Sequence, residues 1–191
     1  MKTTIIVSGI PASGKTTLAI AMALELGFEH LDKDVFLEGH FNDLCEFPSA
    51  RRNELSRAAD LEFKTLAMTK DRVVLSSWWR HPQSALASGT SFDRLIEPDD
   101  CVVELHCQCA SSLAVERFLA RQRHPGHLDA LRRAPVLLKQ FSEAAALGPL
   151  LRGRAIFCGT SKPLTPADVC ALAAQVHQFS LKPFPVPPIS Q

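Results

Sequence analysis

The segment Gly9-Ile10-Pro11-Ala12-Ser13-Gly14-Lys15-Thr16 has the spacing of a loop built to hold phosphate. Gly9 and Gly14 let the backbone wrap round an anion with its N–H groups pointing inward. Pro11, Ala12 and Ser13 complete the cradle. A helix opening near Lys15 adds its positive dipole end. Lys15 can reach the β and γ phosphates of a nucleotide, and the Thr16 hydroxyl can hold Mg²⁺ more directly than Thr17 can. Chance alone produces the pattern in roughly one chain in a hundred of this length. The strand-like run before it and the helical pattern after it lower that figure further.

Two further groups of residues carry charge suited to moving a phosphoryl group. Asp32-Lys33-Asp34 follows a short apolar run. A carboxylate there could take a proton from an attacking hydroxyl or hold the hydration shell of Mg²⁺. Asp34 is the first candidate for the base and Asp32 the second; Asp32 is also the candidate for the metal, and the competing role for Asp34 is a helix cap. The second group is Glu116 to His127, which contains Arg117, Arg121 and Arg123. On one helix Val115, Phe118, Leu119 and Gln122 share a side, with Arg117 and Arg121 one turn apart opposite them. The alternative is a solvated basic face. Pro125-Gly126 then breaks the helix, so residues 117–133 form a candidate lid.

An acceptor would lie between the segments after Asp34 and after the third strand. These hold Arg51, Arg52, Trp78, Trp79, Arg80 and His81. Adjacent tryptophans in a regular strand point to opposite faces, so at least one is expected to line a cleft. Both packing under a helix is the other reading. Arg51, Arg52 and Arg80 suit an anionic acceptor or surface ion pairs equally.

These residues need a scaffold, and the pattern supplies one. Expected strands are Thr3–Ser8, Phe28–Leu31, Val73–Ser76, Cys101–Cys107 and Arg154–Cys158. Expected helices are Lys15–Leu26, Ala50–Lys70, Ser111–Gln122 and one starting at Thr165-Pro166-Ala167-Asp168, a capping box. Alternating strands and helices imply an α/β sandwich with a five-stranded parallel sheet and ligands beyond the strand C-termini. Residues 1–180 read as one domain and residues 181–191 as a proline-rich tail, either loose or laid across the surface. The chain has 191 residues, 46% hydrophobic and 21% charged, with a formal net charge of +1. That suits a globular protein and supplies no field for an anionic membrane or a long nucleic acid. No apolar stretch is long enough to span a bilayer. The expected location is the cytoplasm, and the six cysteines read mainly as small apolar residues.

The loop, the aspartate after the second strand, the arginine lid and the late Cys158-Gly159-Thr160-Ser161 turn together resemble the P-loop kinase family of gluconate kinase, chloramphenicol phosphotransferase and polynucleotide kinase. The resemblance runs from Thr3 to about Ala174. It implies a three-layer P-loop NTPase sandwich with ATP and Mg²⁺ as cofactors. His30-Leu31-Asp32-Lys33-Asp34-Val35-Phe36 is similar to the stretch carrying that family's catalytic aspartate, which falls on Asp34. By the same resemblance Arg117 packs near the adenine, Arg121 touches the transferring phosphate, and Thr160 lines the adenine pocket. Ser76-Ser77 departs from relatives with a carboxylate there. Three functions fit: a kinase for a small hydroxylated metabolite or antibiotic, a kinase for a nucleotide or polynucleotide 5′-hydroxyl, and a non-catalytic nucleotide switch.

Overall fold

The β-branched run at Thr3–Ser8 forms β1, and its buried pattern reflects its place at the centre of a sheet. The computed structural model describes residues 2–42, 49–84, 89–93, 95–97 and 100–180. The other strands are β2 (Glu29–Asp32), β3 (Arg72–Ser76), β4 (Cys101–Gln108) and β5 (Ala155–Gly159). They lie in the order β2-β3-β1-β4-β5, and every pairing is parallel. The helices are α1 (Lys15–Leu26), α2 (Lys33–Asn42), α3 (Ser49–Met68), α4 (Ser111–Ala120), α5 (Ala134–Leu147) and α6 (Pro166–Ser180). Two short 3-10 turns, Pro125–His127 and Asp129–Leu131, join α4 to α5.

Because strand side chains alternate, each face of the sheet buries its own core. Ile5 and Val7 pack with Leu18, Met22, Leu172 and Val176 of α1 and α6. Ile6, Val73 and Leu75 pack on the other face with Phe63 and Ala67 of α3 and with Trp79. This is the three-layer sandwich with a five-stranded parallel sheet expected from the sequence. Register brings the C-terminal strand ends level: Val7 and Asp32 both pair with Ser76, and Ser8 pairs with His106. Residues following β1, β2 and β3 therefore emerge at one edge. Among the described residues no helix is long and apolar enough to cross a membrane.

The structure corrects four sequence expectations. A helix, α2, does follow β2, but it starts at Lys33, and the Asp34 N–H donates to Asp32 Oδ1 at 3.0 Å. Asp32 thus does the capping that Asp34 was considered for. Helix α4 stops at Ala120, and Arg121 is extended (φ −74°, ψ 145°), so Arg117 and Arg121 are not on one helix. Arg121 instead lies over the Phe118 ring, 4.1 Å from its centroid, and pairs with Asp129. Leu119, expected on the core side, is exposed. Helix α5, whose Leu137 and Phe141 are buried against Ala114 and Phe118, follows the lid segment. The expected tail at 181–191 lies outside the described residues.

Candidate active site

The loop between β1 and α1 has the shape its glycines suggest. Gly9 (φ 132°) and Gly14 (φ 93°) have positive φ, as does Ala12 (φ 59°). A Cβ on Gly9 would stand 2.8 Å from the Cys107 carbonyl oxygen, so the loop can lie close on β4 only without a side chain there. Ser13 is buried, whereas Thr16 and Thr17 are exposed. The Lys15 ammonium turns onto the loop and donates to the Ile10 carbonyl at 2.8 Å. Burial pulls its pKa down to about 8, against the pull of Cys107, Asp34 and Asp32 in the other direction. Cys107 lies beneath the loop, its thiol pushed up to about 11 by burial, so it is a packing residue.

Beside this loop the structure brings β2 and α2. Thr16 Oγ1 donates to Asp32 Oδ2 at 2.8 Å, which sets the two candidate metal residues side by side. Asp34 stands one position past the start of α2 and forms an ion pair with Arg123. Lys33, between them, is buried; its Nζ donates to Ser56 Oγ at 2.6 Å and lies 3.7 Å from Asp60 Oδ1. Thr90 donates to Asp60 at 2.6 Å, and Ser77 shares a 2.7 Å hydrogen bond with Thr90. A polar chain thus runs from the Asp32-Lys33-Asp34 segment to the end of β3. It fixes the two segments that would flank an acceptor. Among the described residues no three His, Cys, Asp or Glu side chains gather as a metal cage. A hydroxyl and one carboxylate suit Mg²⁺, which keeps most of its water and takes phosphate oxygens.

The arginines divide into two stations. Arg117 reaches across to the turn after β5, donating to the carbonyls of Thr160 at 2.9 Å and Ser161 at 2.8 Å. Thr160 in turn donates to the Gln108 carbonyl at 3.1 Å, and its side chain lies beside Gly14. Arg121 and Arg123 face the other way, both onto Asp129 Oδ2, at 3.0 and 3.5 Å. Burial first, then the Arg123 charge, loosen Arg121's hold on its proton, while Asp129 and Asp34 oppose this.

The lid segment is seated on α2. His127, nearly fully buried, lies 2.8 Å from Glu38 Oε1 and meets Phe41 edge-on. His124 stacks on the same ring at 5.3 Å. Gly126 lies so close that a Cβ there would stand 2.4 Å from Phe41 Cδ2.

The candidate acceptor residues separate. Trp79 is buried beside Phe63 and donates to the Val7 carbonyl at 2.9 Å, so its indole holds the sheet and does not line a cleft. Trp78 is partly buried against the cluster that holds Ile10 of the loop, Phe118 of α4 and Phe141 of α5. Arg80 is exposed and tied to the Gly89 carbonyl. Arg51 is exposed on α3; its neighbour Arg52 turns inward, into the field of Arg132, Asp129, Arg123 and Asp34. Sequence reasoning assigned no role to Lys33 or Arg123 and did not single out Arg52 from Arg51.

On the far side of the loop Ser8 donates to Glu104 and lies 2.7 Å from His106 Nδ1. Glu104 also accepts the N–H groups of Leu150 and Leu151, at 2.9 and 2.6 Å. Burial pushes its carboxyl up, but the His106, Ser8 and backbone hydrogen bonds together hold it below the usual range. It is a structural anchor for the segment after α5.

No protein-family model matches the chain, and no curated protein matches it closely. Solved structures do. A Chloroflexus aurantiacus protein provisionally named a kinase is 28% identical, with a TM-score of 0.74 over 93% of this chain and 98% of that one. A shikimate kinase from Bacteroides thetaiotaomicron is 17% identical, TM-score 0.58, over 92% and 97%. A gluconokinase from Sinorhizobium meliloti 1021 is 18% identical, TM-score 0.51, over 92% and 95%. With its parallel five-stranded sheet and nearly full-length match to these structures, the chain has the fold of the P-loop small-molecule kinases.

Proposed function

We propose that the protein is an ATP-dependent kinase that moves the γ-phosphoryl group of ATP to a hydroxyl of a small molecule. The observation that carries this reading is the 2.8 Å contact between Thr16 of the phosphate loop and Asp32. It supports a reading in which the Asp32 and Asp34 carboxylates flank the terminal phosphate of a bound nucleotide. Nucleotide binding fits the positive-φ glycines, the close loop-to-β4 approach and the inward Lys15 ammonium. Mg²⁺, which would neutralise phosphate charge, would sit with Thr16 and Asp32.

In the reaction the acceptor oxygen forms a bond to the γ phosphorus as the bond from that phosphorus to the β–γ bridging oxygen breaks. ADP leaves, and the acceptor's proton passes to the Asp34 carboxylate. Lys15 and the loop N–H groups hold the phosphates. Arg121 supplies positive charge as the phosphoryl group moves, and Arg117 with Thr160 borders the base. Trp78 forms part of the acceptor wall. Asp34 acts only when its ion pair with Arg123 opens.

The test is a set of hydroxylated compounds incubated with ATP and Mg²⁺, read by mass for gain of one phosphoryl group. A hit that Asp34→Asn slows about a hundredfold supports the assignment. Product formation undiminished in Asp34→Asn removes Asp34 from the reaction, and ATP binding with no transfer to any compound favours the switch reading.

A further inference from the structure

The proposed reaction leaves Lys33 without a part, although it stands between the Asp32 and Asp34 carboxylates. Its side chain is only 10% exposed and reaches α3, where the ammonium donates to Ser56 Oγ at 2.6 Å and lies 3.7 Å from Asp60 Oδ1. Ser56 and Asp60 are one turn apart on α3, so both face it. Burial weakens the hold of Lys33 on its proton, and the Asp60 and Asp34 charges oppose that. Burying an ammonium is costly, and an apolar side chain of similar length often packs as well or better. Packing of α2 on α3 is in any case supplied by Leu37, Phe41 and Ala59. Such apolar contacts hold two helices together without fixing direction.

Beyond Asp60 the contacts continue towards β3. The Thr90 hydroxyl has one proton, which goes to Asp60 Oδ1 at 2.6 Å, so Ser77 is the donor in its 2.7 Å bond with Thr90. Thr90 is fully buried, and its backbone is clamped to the segment after β3. Its N–H donates to the Trp78 carbonyl at 2.7 Å, and its carbonyl accepts from the Arg80 N–H at 2.8 Å. Gly89 (φ 97°) permits this approach, since a Cβ there would stand 2.8 Å from the Trp78 carbonyl oxygen. Lys33, Asp60 and Thr90 therefore link the first turn of α2, which carries Asp34, to the segment that carries Trp78.

We infer that Lys33 is a positioning residue for the transfer: acting through Asp60 and Thr90, it sets the gap between the Asp34 carboxylate and the Trp78 wall, and so the approach of the acceptor hydroxyl to the γ-phosphate. This rests on the kinase reading above. Lys33 touches neither substrate in that reading. Its effect falls on the alignment of the acceptor and not on the hold on the nucleotide, which lies with the phosphate loop. A misplacement of about 1 Å in such an alignment costs about a hundredfold in rate.

The test uses the full chain with ATP, Mg²⁺ and a panel of sugars, alditols, hydroxy acids and nucleosides, and takes as acceptor the compound that the wild type phosphorylates fastest. Steady-state kinetics, ATP calorimetry and thermal melts are then compared for Lys33→Met, Thr90→Val and the double variant. Lys33→Met should lower kcat about ten- to hundredfold, with ATP affinity kept and the thermal midpoint level or raised. Thr90→Val, which keeps the shape and removes the hydroxyl, should lower kcat in the same way. Because both break one strut, the double variant should be about as slow as the slower single variant, whereas independent effects would multiply. Wild-type kcat in Lys33→Met overturns the inference, as does a double variant in which the two losses multiply. So does a folded Lys33→Met variant whose loss of kcat comes with an equal loss of ATP affinity. If Lys33→Met fails to fold, Asp60→Asn decides: it can still accept from Thr90 but loses the charge that faces Lys33. Lower kcat at unchanged ATP affinity in Asp60→Asn supports the strut, and wild-type kcat refutes it. A wild type that phosphorylates nothing in the panel sinks the kinase reading, and this inference with it.

Discussion

Replacing Lys15 by methionine should stabilise the protein while removing its nucleotide. The Lys15 ammonium is drawn inward onto the Ile10 carbonyl, and its pKa falls from the ordinary 10.5 to about 8, chiefly through burial. At about 1.4 kcal/mol per tenfold change in proton affinity, holding this charge at pH 7 costs about 3 kcal/mol. The residue as a whole keeps some solvent contact, and solvent screening trims the recoverable part to about 1–3 kcal/mol. Losing the Ile10 hydrogen bond returns about 1 kcal/mol of that. The net is about 0–2 kcal/mol, so the expectation for Lys15→Met at pH 7 is a thermal midpoint raised by up to about 8 °C and not lowered, with ATP affinity lower by about a hundredfold or more. The sign with pH follows from a folded pKa below the unfolded one. The cost is fully present below pH 8 and fades as pH rises from about 8 towards 10.5, so the gap between variant and wild type should close over that window. Bound phosphate favours the ammonium, so wild-type ATP affinity should be level below pH 8 and fall above it. Thermal melts and calorimetry across pH 7–10 read both. A methionine variant that melts lower at pH 7, or wild-type affinity flat to pH 10, would refute this reasoning about the loop.

Three further outcomes separate chemistry from scaffolding. Asp34→Asn should lower kcat about a hundredfold or more with ATP still bound; because Asp32 caps α2, Asp32→Asn should leave the thermal midpoint unchanged and Asp32→Ala should lose about 1 kcal/mol. Arg121→Ala should slow transfer more than it weakens ATP binding, and Arg117→Ala, which breaks the tie to Thr160 and Ser161, should mainly raise the KM for ATP; steady-state kinetics distinguish them, and wild-type values in both would leave the two arginines with a purely structural role. Gly126→Ala places a methyl into the Phe41 ring and should cost about 1–3 kcal/mol by denaturant unfolding, together with faster proteolysis of the lid segment.

The sheet and the phosphate loop were legible because each depends on a local signal. Buried parallel strands read as unbroken apolar runs, and the loop needs glycine at fixed places. Helix α5 was not expected, and a helix at α2 entered only through the cap reading of Asp34, although Leu37 and Phe41 stand four apart on its buried side. In α5 the signal was present, with Pro135 near the start and Leu137 and Phe141 spaced alike. Extending α4 through Arg121 failed because the end of a helix depends on what its last side chains meet. Here the Phe118 ring and Asp129 hold Arg121 in extended backbone. The choice between Arg51 and Arg52 was closed to sequence, since adjacent helix positions differ by about 100° of rotation and only packing sets which one turns inward. Arg123 was equally hidden: its partner Asp34 is 89 residues away.

The most direct measurement follows the phosphorus. The full chain is incubated with ATP labelled in the γ-phosphate and with hydroxylated compounds of anionic and neutral kinds, and the label is traced by mass. The expected result is label covalently joined to an acceptor oxygen in the wild type, about a hundredfold more slowly in Asp34→Asn, and none in Lys15→Met. Label that stays in ATP, or appears only as inorganic phosphate whichever compound is present, while ATP is demonstrably bound, would contradict phosphoryl transfer to a small-molecule hydroxyl as the function of this site.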